Sequence, residues 1–193
     1  LPLDVSSSMA PRIVLLIGWI CALFIGLAAG PLPAQASLGD DRYDGNIYAL
    51  YAGNGSLVPP RVSLAQSLAE HRVAALIYYL DDSAVSKQFA PVVSELQRLW
   101  GNRIDLIPLV TDPLQNRSTR GVADPAGYWS GVIPQVVILD DSGSVVFDQQ
   151  GQVSVDAINR ALSDATGVPI SPAMATSTTE SFNELNVEVR PAS

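Results

Sequence analysis

Residues 78–100 read YYLDDSAVSKQFAPVVSELQRLW, and they join a buried strand to an amphipathic helix. The strand is VAALIYYL, residues 73–80, an unbroken apolar run of the kind found where a sheet is covered on both faces. From about Ser83 to Trp100, apolar side chains recur every three to four residues and predict a helix with one buried stripe. Two aspartates and a serine stand at the junction, so the unit predicts an α/β domain with polar groups where the helix begins.

Periodicity and turn residues predict the other elements around this unit. Residues 46–52 form a short strand candidate, and the apolar spacing of residues 63–72 predicts a helix with Ser63 as its N-cap. The remaining predictions are a buried strand at 104–110, a turn-rich connection at 111–129 with a short helix near its end, a hairpin at 133–151 and a closing helix at 154–166 capped by Ser154. The predicted order is β-α-β-α-β-α-β-β-α.

The composition fits one acidic globular domain. The 193 residues include 11 basic and 19 acidic side chains, for a net charge of −8. An acidic surface disfavours nucleic-acid binding, which needs cationic groups to replace the counterions of the phosphates. His71 is the one histidine of the chain, and the sequence has no Gly-x-Ser-x-Gly turn. The residues therefore indicate neither a Ser/His/Asp hydrolase nor a zinc site.

The N-terminus has the pattern of an export signal. A basic residue precedes an uncharged apolar run at residues 13–29, and Ala34 and Ala36 are the small residues of a cleavage site. The run is near the lower limit of about 17 to 25 residues for a helix that spans a bilayer. Residues 1–36 are expected to be a signal peptide or an N-terminal membrane anchor, and both alternatives stay open. Either way, the domain at 37–166 is expected to lie across a membrane from the cytoplasm.

Cysteine content and the C-terminal composition set two further limits. Cys21, inside the apolar run, is the one cysteine of the chain. Residues beyond 36 therefore cannot form a disulfide, supply a thiolate nucleophile or bind a metal through sulfur. Residues 167–193 are rich in Pro, Ser and Thr and have no periodicity, so they are expected to be a flexible tail.

The start of the predicted helix resembles the active-site element of the thioredoxin family. Residues SAVSKQFAP, 83–91, are similar to the family's Cys-x-x-Cys-Lys-x-x-x-Pro pattern. Ser83 and Ser86 occupy the two cysteine positions. Lys87 follows them, and Pro91 stands at the helix-kinking proline.

Two positions further along the chain extend the resemblance. Pro134 stands where the family has a cis-proline that faces the helix N-terminus and marks a groove for extended peptides. A cis X-Pro bond is uncommon, at about 5–6% of such bonds, so it is a definite structural expectation. Gly151 stands where the family has a glycine after the last strand. Over about residues 45–165, the resemblance implies a thioredoxin-like fold, a central mixed sheet flanked by helices.

The serines at the cysteine positions imply a domain without redox activity. Thiol–disulfide exchange needs a thiolate that attacks a sulfur, and a serine hydroxyl supplies neither. The family's usual tryptophan before the first cysteine is replaced by Asp82. An acidic residue is favourable at a helix N-terminus, so Asp82 and Ser83 are expected to form an N-cap pair, with Ser86 a polar residue of the first turn. No catalytic residue, cofactor or metal is expected.

The resemblance keeps the architecture of the family's active site but not its two cysteines, which implies a role in protein binding. An extended segment of the partner would be held by strand addition. Tyr128 and Trp129 lie in the loop before Pro134, where core packing and a position in the groove are both open. The residues expected to form the binding groove are Asp82, Ser83, Ser86, Lys87, Trp129, Ile133 and Pro134.

The layout of the whole chain resembles the thylakoid membrane photosystem I accumulation factor family of cyanobacteria. The N-terminal apolar segment, the absent cysteine pair and the tail carry this resemblance. It implies a protein anchored through residues 13–29 on the lumenal side of the thylakoid membrane. There it would support photosystem I accumulation by binding photosystem I subunits or assembly factors. The alternatives are an envelope thiol–disulfide oxidoreductase of the same fold, or a general chaperone of the periplasm or inner membrane.

Overall fold

The computed structural model describes residues 37–170 of the chain. The predicted signal or anchor at 1–36 lies outside the described residues, and so do residues 171–193 of the predicted tail. Val168 and Ile170, which also belong to the predicted tail, pack against the main core. The described part of the chain contains no helix that is both long enough and apolar enough to cross a membrane.

Residues 37–170 form four α-helices and four strands, joined in places by single 3₁₀ turns. The 3₁₀ turns are Gly55–Leu57, Gly101–Arg103, Asp112–Leu114 and Pro125–Gly127. The helices and strands, in chain order, are α1 Ile47–Ala52, α2 Leu64–Ala69, β1 Ala74–Tyr79, α3 Ala84–Trp100, β2 Asp105–Val110, β3 Gln135–Leu139, β4 Val145–Gln150 and α4 Val155–Thr166.

The four strands form one mixed sheet in the order β2-β1-β3-β4. β1 and β2 are parallel, whereas β3 runs antiparallel to both β1 and β4. The peptide bond between Ile133 and Pro134, just before β3, is cis as expected. A helix that follows the central parallel strand, a cis-proline before the next strand and a final hairpin and helix confirm the predicted thioredoxin-like fold.

The strand predicted at residues 46–52 is wrong, because this segment is helix α1. The side chain of Asn46 accepts hydrogen bonds from the N–H groups of Tyr48 and Ala49, so it caps the helix N-terminus. Gly53, with φ of 61°, ends the helix in the left-handed conformation that glycine adopts without strain. The cap residues decide the conformation of a segment whose apolar side chains suit either a strand or a helix.

The remaining predicted elements are confirmed, most of them one residue shorter at one or both ends, and α2 ends three residues earlier than predicted. Ser63 caps α2 through a capping box with Gln66, and Ser154 caps α4. The hairpin turns at residues 140–144, where Asp140 accepts hydrogen bonds from the N–H groups of Ser142 and Ser144. The short helix expected late in the 111–129 connection is a single 3₁₀ turn, Pro125–Gly127. It starts at a proline, which prevents extension toward the N-terminus, and ends at a glycine, which disfavours helix.

Two apolar clusters cover the two faces of the sheet. All six residues of β1 are buried, and successive side chains of a strand point to opposite faces. Ala75, Ile77 and Tyr79 accordingly belong to the larger cluster, together with α1, α3 and α4. The other three residues of β1 belong to the smaller cluster, which α2 and the 111–129 connection cover. β1 is therefore the centre of the core, and α3 begins at its carboxyl end.

Candidate functional site

The first turn of α3 is capped by a carboxylate from a distant part of the sequence. Ser83 is the N-cap residue, as predicted, but within the described chain its hydroxyl makes no capping hydrogen bond. Instead, the N–H of Ala84 donates to Asp41 Oδ1 at 2.7 Å. Asp82 is exposed. The predicted Asp82–Ser83 cap pair is therefore correct for the position of Ser83 and wrong for the group that accepts the hydrogen bond.

Ser86 lies in the first turn of α3, as predicted, and it is buried. Its side chain is 1% exposed, and its Oγ accepts a hydrogen bond from the N–H of Leu80 at 3.2 Å. Leu80 directly follows β1, so this contact ties the end of the strand to the first turn of the helix. A hydroxyl at the second of the two cysteine positions thus has a structural partner.

Lys87 lies buried beneath the segment 37–46, which we call the N-terminal strap. Its Nζ atom donates to Asp44 Oδ2 at 2.7 Å and to the carbonyl oxygens of Ser37 and Asp40 at 3.1 and 3.0 Å. The Asp40 carboxylate lies 3.4 Å away, and the ring of Tyr51 lies 5.6 Å away. Every donor of the ammonium group has an acceptor, so Lys87 holds the strap against α3.

The charges of this cluster stabilise one another. Hydrogen bonds from Lys87 and from the Tyr51 hydroxyl hold the pKa of the Asp44 carboxyl well below its usual range. Burial alone would lower the pKa of the Lys87 ammonium, but its hydrogen bonds to Asp44 and Asp40 outweigh that effect, and the pKa is raised. Both shifts favour the charged forms, so Lys87 and Asp44 form an ion pair at neutral pH.

A second carboxylate anchors helix α1 to the same end of the sheet. Asp81 accepts a hydrogen bond from the N–H of Ile47, the first residue of α1, at 3.2 Å. Burial raises the pKa of the Asp81 carboxyl, and the nearby charges of Asp82 and Asp112 raise it further. The residues just after β1 thus organise the surrounding backbone, which is a structural role.

Hydrogen bonds bring the cis-proline and the first turn of α3 to the same end of the molecule. The N–H of Gly151 donates to the carbonyl oxygen of Pro134 at 2.7 Å. The next residue, Gln152, donates from Nε2 to the carbonyl oxygen of Val85 at 2.7 Å. Gln152 was not among the predicted site residues, since a glutamine in a loop carries no distinctive sequence signal.

The loop before the cis-proline is fixed by a buried glutamine. Gln135 is fully buried, and its Oε1 accepts hydrogen bonds from the N–H and the hydroxyl of Ser130. Its Nε2 donates to the carbonyl oxygen of Tyr128 and to Asp148. Trp129 packs against the smaller core cluster. These hydrogen bonds fix the backbone of the loop before Pro134, and the larger part of the Trp129 side chain is packed against the core.

The accessible groups at this end of the molecule differ from the predicted list. Ser83, Ser86, Lys87 and Pro134 are buried, whereas Ile133 and Trp129 are partly exposed. Two apolar side chains that were not predicted are much more open, Val85 at 42% and Val132 at 45% exposure. We call Val85, Val132, Ile133, Pro134 and Gln152 the Pro134 surface.

The Pro134 surface offers apolar side chains, an amide and backbone groups, and the sequence places no thiol beyond residue 36. In residues 37–170, no three His, Asp or Glu side chains are grouped so that they could hold a metal ion. A polar hollow lies at the other end of α3, beside Gly101 and Asn102, and involves none of the predicted site residues.

Comparison with known proteins identifies the family. No family model matches the chain. The thylakoid membrane protein slr1796 of Synechocystis sp. (strain ATCC 27184 / PCC 6803 / Kazusa) is 42% identical over 157 residues, which are 81% of this chain and 78% of that protein. The crystal structure of the exposed lipoprotein thioredoxin Etrx1 from Streptococcus pneumoniae strain TIGR4 matches 52% of this chain and 89% of that one, with 16% identity and a TM-score of 0.42. On the extent of the first match, this chain belongs to the family of the thylakoid membrane protein slr1796.

Proposed function

We propose that this protein is a redox-inactive thioredoxin-like binding module on the lumenal side of the thylakoid membrane. In this proposal it supports the accumulation of photosystem I by holding an extended segment of a photosystem I subunit or assembly factor. It uses no cofactor and catalyses no reaction.

The Pro134 surface is the observation that carries the binding role. Val85 and Val132 are about half exposed, yet hydrogen bonds to Gln152 and Gln135 fix the backbone around them. Apolar groups on a rigid frame bind a partner without a large cost in conformational entropy. Apolar surface that is removed from water on binding contributes roughly 25 cal/mol per Å².

The hydroxyls at the two cysteine positions support the absence of catalysis. Ser86 accepts a hydrogen bond from Leu80, and the N-terminus of α3 is already occupied by the Asp41 carboxylate. A helix N-terminus lowers the pKa of a thiol into a useful range, but a serine alcohol stays protonated there. Ser86 therefore has a structural hydrogen bond, and at Ser83 the cap is supplied by Asp41.

The proposed location and biological role rest on similarity. The relative from Synechocystis is a thylakoid membrane protein by name. The apolar run at residues 13–29 with its small-residue cleavage pattern favours export, which supports a lumenal domain. The role in photosystem I accumulation follows from the resemblance of the whole layout to that accumulation factor family.

Affinity isolation from detergent-solubilised thylakoids tests the binding role. We expect the tagged full-length protein to enrich photosystem I subunits or their assembly factors, and Val85→Asp with Val132→Asp to abolish that enrichment. The control is Val122→Asp, because Val122 is 78% exposed and lies in the long connection outside the Pro134 surface. Equal enrichment by all three proteins, or a broad set of unrelated partners, would contradict the proposal.

An insulin reduction assay tests the absence of catalysis. The purified protein should show no turnover above buffer, while a thioredoxin with an intact cysteine pair, assayed alongside, is active. Turnover by this protein would favour the oxidoreductase alternative.

A further inference from the structure

The two edges of the sheet differ in their capacity to accept another strand. At the β2 edge, the N–H of Asp105 donates to Val73 and the N–H of Thr111 donates to Tyr79. In a parallel pair, every second residue of a strand directs its N–H and C=O groups to the neighbouring strand. The backbone groups of Leu106, Pro108 and Val110 therefore point away from β1, toward the open edge. Proline has no N–H, so Pro108 interrupts this edge at its middle.

The β4 edge contains no proline, and its register with β3 is regular from Phe147 to Gln150, with a β-bulge at Val146. The N–H of Gly151 bonds to Pro134, and hydrogen-bonded pairs alternate with non-bonded pairs in an antiparallel ladder. The pair of Gln135 with Gln150 and the pair of Val137 with Asp148 are therefore non-bonded. Gln150 and Asp148 direct their N–H and C=O groups away from the sheet.

The side chains of β4 leave that edge accessible. Five of its six residues are exposed, including Val145 and Val146 at 47% and 48%. The strand contains neither proline nor lysine, which are the residues that commonly protect an edge from pairing. Its C-terminal end leads through Gly151 into Gln152, so the edge is continuous with the Pro134 surface.

Charge disfavours a second copy of this chain as the occupant of the edge. Asp148 lies near the middle of β4, and a symmetric antiparallel pair of two β4 strands centred there sets Asp148 against its own copy. Like charges directly opposite each other destabilise a strand pair. Each chain also carries a net charge of −8. A segment with a cationic residue opposite Asp148 avoids both penalties.

We propose that the β4 edge binds an extended segment of a partner protein by strand addition, with a lysine or arginine of that segment opposite Asp148. The backbone of Asp148 and Gln150 supplies the hydrogen bonds, and Val146 supplies apolar contact. This inference rests on the proposed function, and it adds a second contact beside the Pro134 surface together with the charge of the segment that is recognised.

Binding of the full-length protein to photosystem I purified in detergent tests the inference. Val146→Lys places a cation on the edge and is expected to weaken binding at least about tenfold, since strand pairing and charge complementarity are both lost. Val122→Lys makes the same change on another exposed valine and is expected to leave the Kd unchanged. Asp148→Asn keeps the acceptor for Gln135, and it is expected to weaken binding and to reduce its dependence on salt.

Amide hydrogen exchange of the complex supplies an independent measurement. We expect the amides of Asp148 and Gln150 to become protected when photosystem I is bound. If Val146→Lys binds as tightly as wild type and these amides stay unprotected, the edge inference is wrong. The proposed binding through the Pro134 surface would be unaffected by that result. Absence of wild-type binding to photosystem I, together with no enrichment of photosystem I subunits or assembly factors in the affinity isolation, would overturn both. A protein dimer that Val146→Lys dissociates would assign the edge to a second copy instead.

Discussion

At the scale of single residues, Lys87 occupies its position in the thioredoxin-like pattern but lies in a buried ion pair. The lysine follows the position of the second cysteine in the sequence pattern, which favoured a place in an open groove. In the structure it is fully buried, because the strap residues Asp44 and Asp40 cover it and accept its hydrogen bonds. Its pattern position was predictable from the sequence. Its partners were not, since they lie more than 40 residues away in a segment with no distinctive pattern.

Acid titration tests the Lys87–Asp44 pair. The pKa of Asp44 is lowered in the folded state, so its stabilisation is present above the unfolded value of about 3.9 and is lost as the pH falls toward the folded value. Asp44→Asn should therefore lower the free energy of unfolding at pH 7, with the difference from wild type shrinking below about pH 4. Denaturant unfolding between pH 3 and pH 7 measures this. The control Asp164→Asn, on the exposed face of α4, should change little, and a constant Asp44→Asn difference at every pH would contradict the account.

The two serines at the cysteine positions are expected to differ in their contribution to stability. Ser86→Ala leaves the partly buried N–H of Leu80 without its acceptor and should lower the free energy of unfolding by about 1 kcal/mol. Ser83→Ala should change it by less than about 0.5 kcal/mol, because the Asp41 carboxylate makes the capping bond. Thermal and denaturant unfolding of both variants measure the difference. Equal losses would mean that Ser83 has a hydrogen-bonded role of its own.

At the scale of elements, the cap residues decided what apolar periodicity left ambiguous. Strand β1 and helix α3 were predictable because a long apolar run and a sustained stripe each fit one structure. Helix α1 has only six residues, and its apolar side chains fit a strand equally well. The signal that separates the two is Asn46 before the segment and Gly53 after it, a helix start and a helix stop.

Removal of the α1 cap tests this explanation. Asn46→Ala deletes the acceptor for the N–H groups of Tyr48 and Ala49 and should lower the free energy of unfolding by about 1 kcal/mol. A suitable control is Asn102→Ala, because exposed Asn102 accepts from Arg72 through its backbone carbonyl, which the substitution keeps. Far-ultraviolet circular dichroism should show a small loss of helix in Asn46→Ala alone. An unchanged midpoint of unfolding would assign α1 to tertiary packing instead of its cap.

At the scale of the whole molecule, the sequence predicted the fold better than the accessible site. Local patterns marked the central strand, the hairpin and the closing helix, and the family resemblance implied the cis-proline. Together these features specify a thioredoxin-like topology. Burial depends on which distant segment covers a residue. The strap covers Lys87, so the predicted groove residues are largely enclosed, while Val85 and Val132 form the accessible surface. No pattern within residues 78–100 indicates which of the residues near the start of α3 are enclosed and which are accessible.

The amount of photo-oxidisable P700 per chlorophyll tests the proposed role of the Pro134 surface. A strain that lacks this protein would be complemented with wild type, with Val85→Asp and Val132→Asp together, or with Val122→Asp, each at equal protein level. We predict that wild type and Val122→Asp restore P700, and that the double variant leaves it as low as in the strain without the protein. Full restoration of P700 by the double variant would contradict binding through the Pro134 surface, and normal P700 in the strain without the protein would contradict the role in photosystem I accumulation.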